Sequence, residues 1–335
     1  VRYLFLLTLY ISSLLLTGCQ PEKTTPTKST VVVFGTLVDI VVYDEHKKNA
    51  EQAIAKVEAT FQEMHKEWHA WEKGGIVSKI NQAISHQKPI QVPQSVKDFI
   101  ETSQKLSQQS QGLFDPGIGS LIGLWGFHSE QWQGPPPTKE RILAWLNNKP
   151  SIANISFEGN QLISSNKYVQ LDFGGNAKGL AIDMALNTLE EAGIKNALVS
   201  IGGDMKVIGT KNNQAWSIGI QNPKNPETAI AQIALNDGES IVTSGTYQRY
   251  FDWQGQRYSH ILNPNTGYPA NSFSSVTVIH SDATTADSAA TALLIAGPEN
   301  WLKIAQAMGV TQAFCIDQSG KIFQTKAISK RIKLL

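Results

Sequence analysis

Cysteine is scarce: the 335 residues contain two, Cys19 and Cys315. That is too few for a disulfide framework, and neither has a second thiol or a histidine at zinc-ligand spacing. Charge is sparse as well, 17% of residues against about 25% in an average globular chain, which argues against a disordered or coiled-coil protein. Neither sign is in excess, since 29 Lys and Arg face 28 Asp and Glu for a formal +1. Without a basic stripe the chain lacks the electrostatic footprint of a DNA- or RNA-binding protein, so no nucleic acid is expected as a partner. Beyond the extreme N-terminus there is no long apolar run, hence no internal segment able to span a membrane. What is present is 41% apolar residues and 26 glycines, a globular balance with core enough for one large domain or two modest ones.

The N-terminal stretch has a secretory pattern. Arg2 precedes an apolar run from Tyr3 to Leu16, followed by small residues and Cys19. A run of that length suits a signal peptide better than a spanning helix. Leu16-Thr17-Gly18-Cys19 resembles the lipobox of bacterial lipoproteins, the alternative being an ordinary signal peptide with an incidental cysteine. The lipobox divides the chain into a signal peptide over 1–18, a lipidated Cys19 with a polar, proline-bearing tether over 19–30, and a folded part over 31–335. It implies a membrane-anchored protein on the extracytoplasmic side, held by two acyl chains. Gln20 after the lipid site favours the outer membrane, facing the periplasm, in an organism that has one. Cys315, within Ala313-Phe314-Cys315-Ile316, reads as a buried core residue.

Val31 to Tyr43 is β-branched and long, either two strands or one bulged strand broken at Gly35. Ala53, Ile54, Val57, Phe61 and Met64 give residues 47–69 a helical period, and Val96, Phe99, Ile100 and Leu106 do so for 94–110. The glycine-rich stretch 112–126 reads as a buried irregular loop. A helix follows at 138–147, then strands between 150 and 170, a strand at Tyr168–Leu171 and a helix over 177–192 closed by Gly193. Further strands are expected at 197–201, 215–220, 229–235, 241–251, 256–262 and 276–280, with a turn at Asp252-Trp253-Gln254-Gly255. Helices at 285–296 and 301–308 come last before the closing strands. Strands and helices mix without strict alternation, so the fold class is α+β.

Three motifs carry chemistry. Asp172-Phe-Gly-Gly-Asn-Ala-Lys178-Gly179 joins a strand to a helix, where glycines admit a phosphate, helix amides attract it and a lysine adds charge. It is neither a Walker A loop nor G-x-G-x-x-G, and a plain tight turn reads the same glycines as well. Asp287 and Thr291 stand four apart on one helix face and offer oxygens to one hard cation. The bland reading there is a helix cap plus small residues for close packing. Thr243-Ser244-Gly245-Thr246-Tyr247-Gln248-Arg249, with Ser259-His260-Ile261 and the turn Asn263-Pro264-Asn265-Thr266-Gly267, brings hydroxyls, Arg249 and His260 onto neighbouring strands. That set suits a phosphorylated ligand or a proton transfer, although a lone strand histidine is more often only hydrogen-bonded. His65 and His69 are spaced i, i+4 with no third ligand near, and read as solvated or packed.

In this order the motifs resemble the ApbE family, the bacterial FAD:protein FMN transferases. Further matching strings are Phe34-Gly35-Thr36, Ser78-Lys79-Ile80-Asn81, Phe114-Asp115-Pro116, Leu124-Trp125-Gly126-Phe127 and Gly202-Gly203-Asp204. The resemblance implies a T-fold-like α+β architecture, with mixed, largely antiparallel sheets flanked by helices. It further implies Mg²⁺ as cofactor, FAD as substrate, and transfer of FMN to a Ser or Thr hydroxyl of a target flavoprotein with release of AMP. Metal ligands carry over to the Gly175 carbonyl, Asp287 and Thr291. Flavin and adenine contacts carry over to Phe34, Trp71, Leu113, Phe114, Asp115, Asp172, Lys178 and Ile261, with His260 beside the reacting phosphate. On this reading Lys178 and a Mg²⁺ held by Asp287 draw charge from the phosphate oxygens, and His260 takes the acceptor's proton. Ser244 and Arg249 join the ligand contacts, and the targets implied are subunits of membrane redox complexes. The competing functions are a Mg²⁺-dependent FAD pyrophosphatase and a non-catalytic flavin-binding lipoprotein.

Overall fold

The computed structural model describes residues 25–43, 45–129 and 134–335. The signal peptide, Cys19 and the first part of the tether lie outside the described residues. Two strands open the chain, β1 (Thr27–Val33) and β2 (Thr36–Val42), paired antiparallel from Thr27↔Val42 to Val33↔Thr36. Phe34 and Gly35 alone make the turn, both at positive φ, 57° and 71°. β1 therefore begins inside the stretch expected as tether, because its ladder to β2 reaches back to Thr27.

Next come α1 (Lys47–Trp68), α2 (Ile76–Ser85), β3 (Ile90–Gln91) and α3 (Gln94–Gln109). The sequence reading has no counterpart of α2, whose buried stripe is only Val77, Ile80 and Ile84. Residues 112–126 are not all loop, for they contain α4 (Gly119–Trp125), ended by Gly126 at φ 81°. After α5 (Lys139–Asn148), β4 (Ile155–Glu158) and β5 (Gln161–Ser164) form a small sheet with β3. Tyr168–Leu171 makes no ladder; Gln170 forms an isolated parallel bridge to Ile118.

The order continues with α6 (Ala177–Glu191), β6 (Ala197–Ile201), β7 (Asp204–Ile208), β8 (Trp216–Asn222), β9 (Asn225–Leu235) and β10 (Ser240–Gly245). The single strand expected over 241–251 is two. The chain turns back after Gly245, where a Cβ would meet the Tyr247 ring at 2.5 Å. β11 (Tyr250–Trp253) then pairs with β12 (Gln256–Ser259) as a separate hairpin. β13 (Phe273–His280), α7 (Ala283–Ala307), β14 (Gln312–Asp317), β15 (Ile322–Gln324) and β16 (Lys333–Leu334) complete the described chain. α7 joins the two helices expected near its ends, with a break at Gly297 (φ 68°) before Pro298.

Eight strands form the main sheet in the order β1-β2-β6-β7-β10-β13-β14-β15, each pair antiparallel. Both faces are covered, which explains the dense β-branched strands. One face packs Val38, Ile40 and Val199 against α1 and α6, and Val276, Val278 and Cys315 against α7. The other face packs Ile241, Ile279 and Phe314 against Trp216, Ile218 and Ile233 of the β8–β9 ribbon. Cys315 is fully buried, and burial pushes its thiol up. The α+β expectation holds.

Candidate active site

Stretches far apart in the chain converge on a cavity of about 970 Å³, at the upper end of typical ligand pockets. Every site residue named from the sequence lines it: Phe34, Trp71, Leu113, Phe114, Asp115 and Asp172; then Gly175, Lys178, Ser244, Arg249 and His260; and Ile261, Asp287 and Thr291. The first turn of α6 supplies Lys178, the first turns of α7 supply Asp287 and Thr291, and the β11–β12 hairpin brings Arg249 and His260 to its base.

The ionic centre is Lys178, paired with Asp204 and near enough to Asp287 to feel its charge. Its Nζ pairs with Asp204, which is 2% exposed and whose other oxygen accepts the Thr243 N–H at 2.9 Å. Asp287 is 3% exposed, and its Oδ2 accepts the Gly179 N–H at 3.0 Å. Burial weighs against the Lys178 charge, but Asp204 and Asp287 together more than offset it and raise the ammonium. Burial pushes the Asp287 carboxyl up, against the pull of Lys178. The cap reading of Asp287 fails for its own helix: Asp282 caps α7 by accepting the Thr285 N–H at 2.7 Å. Asp204 is the residue that motif spacing left without a role, although its Gly-Gly-Asp string was visible.

Asp287, Thr291 and the Gly175 carbonyl also fit a divalent cation by their chemistry. All are hard oxygen donors of the kind Mg²⁺ prefers. A Cβ built on Gly175 would stand 3.9 Å from Thr291 Oγ1, so that backbone and hydroxyl are neighbours. Ser244 Oγ is 3.1 Å from the same hydroxyl. Among the described residues no group of three or more His, Cys, Asp or Glu could hold a metal. A cation here would depend on one carboxylate, neutral oxygens and substrate phosphate.

His260 is half-buried in the wall, its Nδ1 3.0 Å from the Arg249 carbonyl. A carbonyl only accepts, so Nδ1 carries the proton and Nε2 presents a lone pair. Burial first, then the charges of Arg249 and Lys178, lower the imidazole to about 4. It is a neutral base at pH 7. The Arg249 guanidinium donates to the Ser129 carbonyl at 3.3 Å.

Aromatic rings form a further part of the cavity wall. Trp71 Nε1 donates to Asp172 Oδ2 at 2.8 Å while Asp172 Oδ1 accepts the Gly174 N–H, so one carboxylate holds both the indole and the turn. His128 lies against the Trp71 ring, centroids 4.9 Å apart. His65 and His69, read as solvated or packed, both line the cavity, and His65 meets the Phe34 ring edge-on at 5.8 Å. Their i, i+4 spacing did not point to a cavity, and nothing in the sequence marked Trp68, because the wall they share comes from the fold of the β1–β2 turn onto α1. Asp115 lines the cavity with its oxygens already taken by Gly117, Ser151 and Ile152. Burial is the largest influence on its carboxyl and raises it.

Comparison with known proteins agrees with this geometry. The family model described as ApbE family matches residues 34–315. A Rhodobacter capsulatus protein named FAD:protein FMN transferase is 35% identical over 91% of this chain, which spans 58% of that protein's length. The Vibrio cholerae protein of the same name is 30% identical, over 88% of this chain and 89% of its own. The crystal structure of the ApbE protein from Thermotoga maritima superposes with a TM-score of 0.84 at 30% identity, over 92% of this chain and 99% of that one. The apo form of the Pseudomonas stutzeri flavinyl transferase ApbE gives 0.81 at 29% identity, over 93% and 98%. Motifs, architecture and cavity thus converge on one assignment, and the chain belongs to the ApbE family.

Proposed function

We propose that this protein transfers the FMN half of FAD to a Ser or Thr hydroxyl of a target flavoprotein and releases AMP, with Mg²⁺ held by Asp287, Thr291 and the Gly175 carbonyl. The observation that carries the proposal is the one cavity that Lys178, Asp287 and His260 line together with aromatic rings, His260 having Nδ1 engaged and Nε2 left as a base. The names of the relatives support the same activity. Phe34 and Trp71 offer ring surface to a flavin or an adenine. The Lys178 ammonium, aimed by Asp204, binds a non-bridging oxygen of the diphosphate. Mg²⁺ bound there supplies further positive charge to the phosphate oxygens. The acceptor oxygen forms a bond to the FMN phosphorus while the bond from that phosphorus to the bridging oxygen breaks, and AMP departs with the bridge. His260 Nε2 takes the acceptor's proton. The diphosphate's negative charge, beside His260, opposes Arg249 and Lys178 and raises the imidazole's basicity in the complex.

Anchorage through a diacylated Cys19 on the extracytoplasmic side, with targets among membrane redox subunits, belongs to the same proposal. The test is to incubate the protein with FAD, Mg²⁺ and a candidate acceptor and to weigh the acceptor by mass spectrometry. A gain of one FMN matched by AMP supports transfer. AMP without bound flavin would replace it by FAD hydrolysis, and neither product by flavin storage.

A further inference from the structure

The crossing of α6 and α7 bears on how the candidate cation donors are aimed. The two helices begin in backbone contact: a Cβ on Gly179 would lie 2.4 Å from the Ala283 carbonyl oxygen. Each helix then takes free amides of the other. Asp287 of α7 accepts the Gly179 N–H of α6. In return Asp183 of α6 accepts the N–H groups of Ala283 at 3.1 Å and Thr284 at 3.0 Å, and the Thr284 hydroxyl at 3.0 Å. Lys206, from β7, pairs with the same Asp183 carboxylate at 2.7 Å, both side chains 14% exposed. Asp282 caps α7 by accepting the Thr285 N–H, and Asp183 takes the two amides that precede it from another helix. Its distinct contribution is to tie the first turn of α7 to α6, about one helical turn before Asp287.

We propose that Asp183 is a positioning residue. By fixing α7 against α6 it sets where Asp287 and Thr291 stand relative to the Gly175 carbonyl, and through them the affinity for the divalent cation. The proposal rests on the cation reading above and concerns a residue that touches neither the cation nor FAD.

The test is calorimetric titration of the whole protein with Mg²⁺ alone, alongside amide hydrogen exchange without metal. Asp183→Asn keeps the side chain's size but turns one accepting oxygen into an N–H donor that faces the donors of α7. The expected result is a loss of Mg²⁺ affinity of about tenfold, with faster exchange of the Gly179 amide than in the wild type. Lys206→Met removes the ion pair but keeps the three accepted hydrogen bonds; it should lower Tm and leave Mg²⁺ affinity within about twofold. Should Asp183→Asn fail to fold, Thr284→Val removes only the hydroxyl donor and should weaken Mg²⁺ about threefold. Wild-type affinity in Asp183→Asn, or in Thr284→Val where that variant stands in for it, overturns the proposal. So does an equal loss in Lys206→Met, which would mean general loosening. Absence of Mg²⁺ heat from the wild type is a different result: it removes the cation reading itself.

Discussion

Phe34 occupies a backbone conformation that suits it poorly. A two-residue hairpin turn with both residues at positive φ favours Asn-Gly, whereas this chain has Phe-Gly at φ 57° and 71°. Strain at such a position costs of order 1 kcal/mol or more and is kept where the surroundings require it. Here the ring faces the cavity and packs edge-on to Phe61 at 5.6 Å. Phe34→Asn exchanges lost ring packing for relief of strain, so Tm should stay nearly constant. FAD affinity measured by fluorescence titration should fall about tenfold, about 1.4 kcal/mol. A variant that melts early yet binds FAD normally would make Phe34 a packing residue. At His260 the sign follows from linkage. Its folded value of about 4 lies below the 6.5 of the free side chain, so between those values the unfolded chain binds more protons and stability rises with pH. The Tm of the wild type should climb from pH 4 to 6.5 more steeply than that of His260→Gln, and equal slopes would contradict the burial of the imidazole. Residues with a chemical signature in short strings, such as Lys178, Asp287 and His260, were legible in the sequence. Asp204 was visible only inside its Gly-Gly-Asp string, and His65 and His69 only as an i, i+4 pair without a site, because what recruits them is a tertiary neighbour: Lys178 for the first, Phe34 and the aromatic wall for the others.

Among the elements, α6 and α7 do most to assemble the site, and their crossing depends on one glycine. A methyl group on Gly179 would meet the Ala283 carbonyl oxygen and carbon at 2.4 and 2.7 Å, all backbone, so no side chain can move aside. Overpacking of this kind costs about 1–3 kcal/mol. Gly179→Ala should therefore lower the denaturant midpoint, and it should cut transfer at saturating FAD, since the shift displaces Asp287 and Lys178 together. Full activity in a destabilised protein would separate the crossing from the site. Both helices were legible, α6 from Ala181, Ala185 and Leu189 and α7 from its small residues, while their contact was not. The missed elements have local causes. α2 buries only Val77, Ile80 and Ile84, too few for a periodic signal. The break at Gly245 comes from Tyr247 folding back over it, which no alternation of apolar residues records.

For the whole molecule, the cavity wall draws on the β1–β2 turn, α1, the segments around Phe114 and His128, the α6 turn, β10, the hairpin base and α7. The core behind it is divided among separate clusters: one under α1 and α6, one under α7, and one joining α4 and α5 to the hairpin. A ligand filling the cavity bridges these clusters, so binding must stabilise the molecule as a unit rather than one lobe of it. Ligand at a hundred times its Kd adds about 2.7 kcal/mol to the native state, several degrees in Tm for a chain of this size. Among the described residues none that lines the cavity precedes Val32, and β1 starts at Thr27. Removing residues 1–24 should accordingly leave both the melting curve and its FAD-induced rise intact, with a single transition throughout. Differential scanning calorimetry of the full and shortened chains, each with and without FAD, decides the matter. Two transitions of which FAD moves only one, or a rise lost on shortening, would mean that the cavity does not couple these clusters as the geometry requires.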